Sequence, residues 1–229
     1  MVISARSRRA AAILLLGGLV SAACSRSVIG TPVAADEAGR GGSGAPVPLA
    51  QLLPEPSRFP AGYPPVVLDP AAAGSALRGV NGVPEGATVT PGDCTPPEPT
   101  ETVAMSSVTE QGTLTVVVTR MDASLQDRRD QLDRCGVFTV QTELGSSTVT
   151  AQLLPSPPVA VDALAGDSLA VEQTQDDTSP GRALTLAAQY RDVRVLVSMS
   201  VGEDMEIDTV ALDGVFTEAV AAVLEGARR

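Results

Sequence analysis

Several runs of this 229-residue chain alternate apolar and polar residues strictly enough to leave little choice of backbone. In residues 113–120, Leu114, Val116 and Val118 fall on one side while Thr113, Thr115 and Thr119 fall on the other. Successive side chains point to opposite faces only in a strand, so this run predicts a strand with one apolar face. Residues 102–108 mirror it across Glu110-Gln111-Gly112, which makes a hairpin. The pattern returns in 138–144 and 148–154 around Gly145-Ser146, in 168–175, and in 183–190 and 193–201 around Arg191-Asp192. Residues 66–68 predict a short edge strand, and the five prolines of 83–99 predict a stiff, irregular loop around Cys94.

Helices are predicted where the period lengthens. Asp69 caps one that opens at Pro70 and runs to about residue 78. A second starts near Ser124, capped by Asp122 or Ser124 and stopped at Gly136, with Leu125, Leu132 and Cys135 turned inward. A third, capped by Asp208, is apolar through Val210, Val215, Phe216, Ala219, Val220, Val223 and Leu224. The expected fold is therefore α+β: an antiparallel sheet of hairpins with its apolar face covered by helices. The Thr/Gln/Ser face is then solvated, or it floors a groove that hydrogen-bonds a ligand. On the second reading Thr113, Thr115, Gln141, Thr150 and Gln189 are the candidate binding positions, alongside Thr139, Thr148, Gln152, Thr185, Ser198 and Ser200.

Ahead of this domain the chain reads as an address. Arg6, Arg8 and Arg9 precede an uncharged run, 10–20, and then small residues up to Cys24, the three-part order of a secretory signal. The run is shorter than the ~20 residues a membrane-crossing helix needs. Val20-Ser21-Ala22-Ala23-Cys24 reads as a lipoprotein cleavage site with Cys24 as the lipid acceptor, although Ser21 stands where Leu or Val is usual. Simple cleavage without lipid is the competing reading. The division is then a signal peptide at 1–23, a lipidated N-terminus and flexible linker at 24–48, and a domain at 49–229. The linker is rich in Gly, Ala, Pro and Ser and buries too little apolar surface to order itself.

Charge narrows the partners. Removing residues 1–23 takes away three arginines and no acid, so the net charge moves from −11 to −14. Such a chain is repelled by nucleic acid and by anionic headgroups, so acyl chains rather than electrostatics would hold it at the outer face of the cell membrane. The chain has no His and no Lys, a bias expected of a GC-rich genome. In an oxidising compartment Cys94 and Cys135 most simply form a disulfide, because no His or third domain thiol is present to complete a metal site. Gly166-Asp167-Ser168-Leu169 matches a serine-esterase nucleophile motif, yet no His or Lys is available as the base. Glu203, Asp204, Glu206 and Asp208 do not have the spacing of a calcium loop. No catalytic residue, cofactor or metal is expected.

Phe59-Pro60-Ala61-Gly62-Tyr63, Thr90-Pro91-Gly92-Asp93-Cys94 and Cys135 after a hairpin and helix resemble actinobacterial lipoproteins, mycobacterial and nocardial, that carry a domain of unknown function. These are similar to the extracellular sensor domain of PknH-type kinases. The resemblance implies a mixed antiparallel sheet with a ligand groove, over about residues 49–229. This chain departs from it in having one possible disulfide instead of two and no kinase. The expected function is a lipid-anchored, extracytoplasmic binding or sensor-type lipoprotein whose ligand is a small molecule, a lipid or an envelope protein. A lipid or glycolipid carrier with an apolar cavity is the alternative, and a cell-envelope hydrolase the third.

Overall fold

The computed structural model describes residues 47–159, 168–176 and 180–226. The chain divides into a unit Met1–Gly44 and a compact unit Ala45–Arg229. The expected signal peptide, Cys24, most of the linker, and Gly166 and Asp167 of the esterase-like motif lie outside the described residues.

In chain order the regular elements are β1 (Val66–Val67), α1 (Pro70–Val80), β2 (Thr88–Thr90), β3 (Glu101–Thr109), β4 (Gly112–Arg120), α2 (Leu125–Arg134), β5 (Val137–Thr142), β6 (Gly145–Leu154), β7 (Ser168–Asp176), β8 (Gly181–Tyr190), β9 (Val193–Gly202) and α3 (Thr209–Gly226). The strands form one sheet in the order β1-β3-β4-β9-β8-β7-β6-β5-β2, antiparallel throughout. The α+β fold and the Cys94–Cys135 disulfide are thus as expected. Among the described residues no helix is long and apolar enough to cross a membrane.

One four-residue signature builds two hairpin tips: Thr109-Glu110-Gln111-Gly112 between β3 and β4, and Thr142-Glu143-Leu144-Gly145 between β5 and β6. In each tip the threonine hydroxyl accepts from the N–H two residues on, at 3.1 and 3.2 Å, and donates to the glycine carbonyl, at 3.1 and 3.3 Å. Both glycines have positive φ, and a Cβ on Gly112 would lie 2.5 Å from the Ser200 carbonyl oxygen. The second tip therefore falls at Glu143-Leu144 instead of Gly145-Ser146. The Thr142 hydroxyl supplies the turn's hydrogen bonds, which alternation alone does not reveal.

Helices cover both faces of the sheet, not one. On the first face α3 buries Leu212, Val215, Phe216, Ala219 and Val223 against Leu114, Val116, Val118, Val197 and Met199. Asp208 Oδ1 caps α3 by accepting from the Ala211 N–H at 2.9 Å, and Tyr63 donates to Asp208 Oδ2 at 3.2 Å. On the second face α1 and α2 bring Ala73, Leu77, Val80, Leu125 and Leu132 against Ala104, Val117, Leu169, Ala187 and Leu196. Asp69 caps α1, and Ser124 and Asp127 form a reciprocal capping box on α2. A side chain fully buried in such layers contributes roughly 1.5–3 kcal/mol.

Burial on both faces corrects the expected polar face. Register pairs Thr115 with Ser198, Ser198 with Thr185, and Arg194 with both Thr119 and Gln189, all on the second face. Gln141 and Thr150 point to the first face, at the far end of the sheet, where they are exposed. The positions therefore never form one surface. The reason is that β4, β8 and β9 are central and covered on both sides, as the run Val116-Val117-Val118 implies. Some of these hydroxyls satisfy one another, Thr185 donating to Ser198 at 2.9 Å and Ser106 lying 3.0 Å from Thr115, while the buried Thr119 hydroxyl has no partner among the described residues. A second correction concerns residues 83–99. Thr88–Thr90 is a strand there, paired with β5 and seating Val89 beside Val140, too short for periodicity to show.

Candidate functional site

The second face holds a chemically distinctive pair. Arg194, on β9 between Thr119 and Gln189, is only 3% exposed in a strand otherwise free of charge. Its Nε and Nη2 donate to Gln189 Oε1 at 3.1 and 2.9 Å, and Nη2 also donates to the Ala123 carbonyl at 2.9 Å. Gln189 Nε2 in turn donates to the carbonyls of Ala123 and Arg191. The amide is thereby oriented with its oxygen toward the guanidinium.

Arg128 faces the same space from α2 and is half-buried. Its Nη1 donates to Gln131 Oε1 at 2.6 Å and its Nη2 to Asn81 Oδ1 at 3.4 Å. Every one of these acceptors is neutral. Burial first, and the nearby charge of Arg194 second, together pull the Arg128 pKa down to about 10. Burial likewise brings Arg194 to about 10, against an upward pull from Asp127. Both remain cations at neutral pH. The Asp127 carboxylate is itself engaged with the hydroxyl and N–H of Ser124.

Both arginines line a cavity of about 40 Å³. Leu77 and Val80 of α1, Leu125 and Leu132 of α2, and Leu169 and Leu196 of the sheet form its apolar wall, with Gln173 and Thr185 as further polar groups. It is roofed by α1 and α2 and edged by Pro96 and Pro97, which follow the disulfide. Gln131 Nε2 fastens that edge by donating to the carbonyls of Asp93 and Thr95, at 2.9 and 2.8 Å.

The sequence-derived binding positions scatter around this arrangement. Gln189 meets it only through Arg194. Thr115 is buried against Ser106, and Thr113 is half-buried close to the β3–β4 tip. Gln141 is exposed on the first face, and Thr150 lines an open surface depression of about 440 Å³ with Thr148, Thr174 and Arg182. Ser168 of the esterase-like motif is buried and donates to the Pro157 carbonyl at 3.0 Å. Among the described residues no three metal-binding side chains gather, and Asp208 is engaged as a helix cap. Arg128 and Arg194 escaped sequence reading, although a lone charge inside residues 193–201 was the available signal.

No family model and no curated protein matches the sequence. Among solved structures, the chain is similar to an uncharacterized Mycobacterium smegmatis protein, the Rv0999 ortholog, at 19% identity and a TM-score of 0.43, over 73% of this chain and 92% of that one. It is similar also to the extracellular domain of PknH from Mycobacterium tuberculosis, at 15% identity and a TM-score of 0.43, over 72% of this chain and 83% of that one. A structure of the kind that the sequence resembles is thus among its neighbours, at low identity.

Proposed function

We propose that this chain is a lipid-anchored binding or sensor-type lipoprotein of the outer face of the cell membrane, whose folded unit holds a small ligand without transforming it. The observation that carries the reading is the cavity beneath α1 and α2. It is largely apolar, it contains a few convergent polar groups, its walls present no His, Cys, Lys or carboxylate to act as a base, and its one hydroxyl, that of Thr185, donates to Ser198. Its volume of about 40 Å³ supports a small ligand over an acyl chain, since sites for drug-sized ligands run to roughly 300–1,000 Å³. Secretion and anchoring rest on the signal-like residues 1–23 and on Cys24.

The test is native mass spectrometry of the protein purified from its own host's envelope without denaturation. A released molecule of low mass, lost on unfolding, is the expected result. Protein that is always of bare mass, and that shows no thermal shift with envelope extract, would refute the binding reading.

A further inference from the structure

We propose that the cavity between α1, α2 and strands β7–β9 is an anion site, built for a small carboxylate with a short apolar group and charged by Arg128 and Arg194. The inference deepens the binding reading above and rests on it.

The first argument is the pairing of charge. Among the described residues, Arg58 pairs with Glu218, Arg78 with Glu85, and Arg120 with both Glu101 and Asp192. Among the described residues Arg128, Arg129, Arg134, Arg182, Arg191 and Arg194 have no carboxylate within salt-bridge distance, and of these only Arg128 and Arg194 line the cavity. Two like charges lining one small cavity, one of them almost fully buried, are costly unless something offsets them. Bracing accounts for part of Arg194, because its bond to Ala123 fixes the connection from β4 to α2. It does not account for Arg128, whose neutral partners Gln131 and Asn81 need no full charge.

The second argument is unused donor capacity. A guanidinium has five N–H groups in a planar fork. Arg194 donates through Nε and Nη2 and Arg128 through Nη1 and Nη2, so Arg194 Nη1 and Arg128 Nε donate to nothing among the described residues. An oxyanion between the two would accept these donors and offset both charges. Size and lining choose the class. A cavity of 40 Å³ has room for about three waters, comparable to a carboxylate with one or two further carbons. The apolar part then rests on Leu77, Val80 and Leu132, which inorganic phosphate would leave unused.

The test uses the mature chain from residue 24 carrying Cys24→Ser, with sodium propionate as the probe at fixed ionic strength and with propionamide and inorganic phosphate as controls. Thermal melting and the NMR resonances of the two arginine Nε–H groups are the readouts. Propionate should raise the melting temperature saturably and shift both resonances, and propionamide should do neither. Arg128→Gln should weaken propionate about ten- to a hundredfold, the loss expected for a charged hydrogen-bond partner. Val80→Phe, which fills the apolar end, should abolish the response while the Arg194 resonance keeps its place.

Equal binding of propionamide, or binding undiminished by Arg128→Gln, overturns the anion site but leaves a ligand pocket and so the proposed function. A response to phosphate alone overturns the carboxylate class. No response to any probe overturns the site altogether. The proposed function falls separately, only if protein from the native envelope also carries no copurifying molecule.

Discussion

A guanidinium that is 3% exposed and answered by neutral oxygens makes its acceptors unusually important. Gln189 accepts from Arg194 twice, so Gln189→Leu strips the cation of its principal partner while keeping the side-chain volume. The expected cost is roughly 1.5–3 kcal/mol in urea unfolding, the range for hydrogen bonds to charged groups. A loss below about 0.5 kcal/mol, typical of an open surface, would mean that the guanidinium finds water instead. Asp127 tests the neighbouring cap. Its carboxyl is held below the usual carboxylate range, first by the Ser124 hydroxyl, then by the Ser124 N–H, with a smaller pull from Arg194. A lowered folded pKa means stability that is present above the unfolded value and lost as pH falls through the folded one. Ser124→Ala should accordingly move the Asp127 carboxyl up toward its ordinary range in an NMR titration. An unmoved titration would assign the shift to the backbone N–H of residue 124 and to Arg194 rather than to the hydroxyl.

At the scale of elements, the disulfide joins the end of α2 to the loop whose Pro96 and Pro97 edge the cavity. A crosslink spanning 41 residues is worth about 4 kcal/mol in the chain-entropy account, with roughly 2–5 kcal/mol the common range on removal. Replacing both Cys94 and Cys135 by Ala should destabilise by that amount in denaturant unfolding and should raise amide exchange in residues 91–97 before it does in β4 and β9. Uniform loosening of the whole sheet would show that the bridge does not act locally. Strands and helices of this kind were legible in the sequence because period and caps are local signals: Asp69, Ser124 and Asp208 all cap the helices they were read to cap. The partition of faces was not, because it depends on which strands become central. Thr115, Thr185 and Ser198 look solvent-facing in a list of alternating residues, yet register hides them under α1 and α2. Their neighbours Val117, Ala187 and Leu196 on the same face carried the contrary signal. The site was illegible for the same reason, since Arg128 and Arg194 line one cavity only once α2 packs over the sheet.

For the whole molecule the decisive quantity is charge against anchorage. Without residues 1–23 the chain carries a net charge of −14, which opposes adsorption to anionic headgroups at any ionic strength low enough for charges to be felt. Acyl chains on Cys24 would overcome that repulsion, each buried methylene contributing about 0.8 kcal/mol, so two or three chains hold firmly. The prediction is that the native protein enters the detergent phase of a cloud-point extraction and stays with membranes in 1 M salt, because no electrostatic contact is there to be screened. Cys24→Ala should appear in the aqueous phase, or remain unprocessed with residues 1–23 still attached, which a mass measurement separates. Membrane retention of a processed Cys24→Ala chain would refute lipid anchoring and turn attention to a protein partner in the envelope, while leaving the cavity and its two arginines untouched.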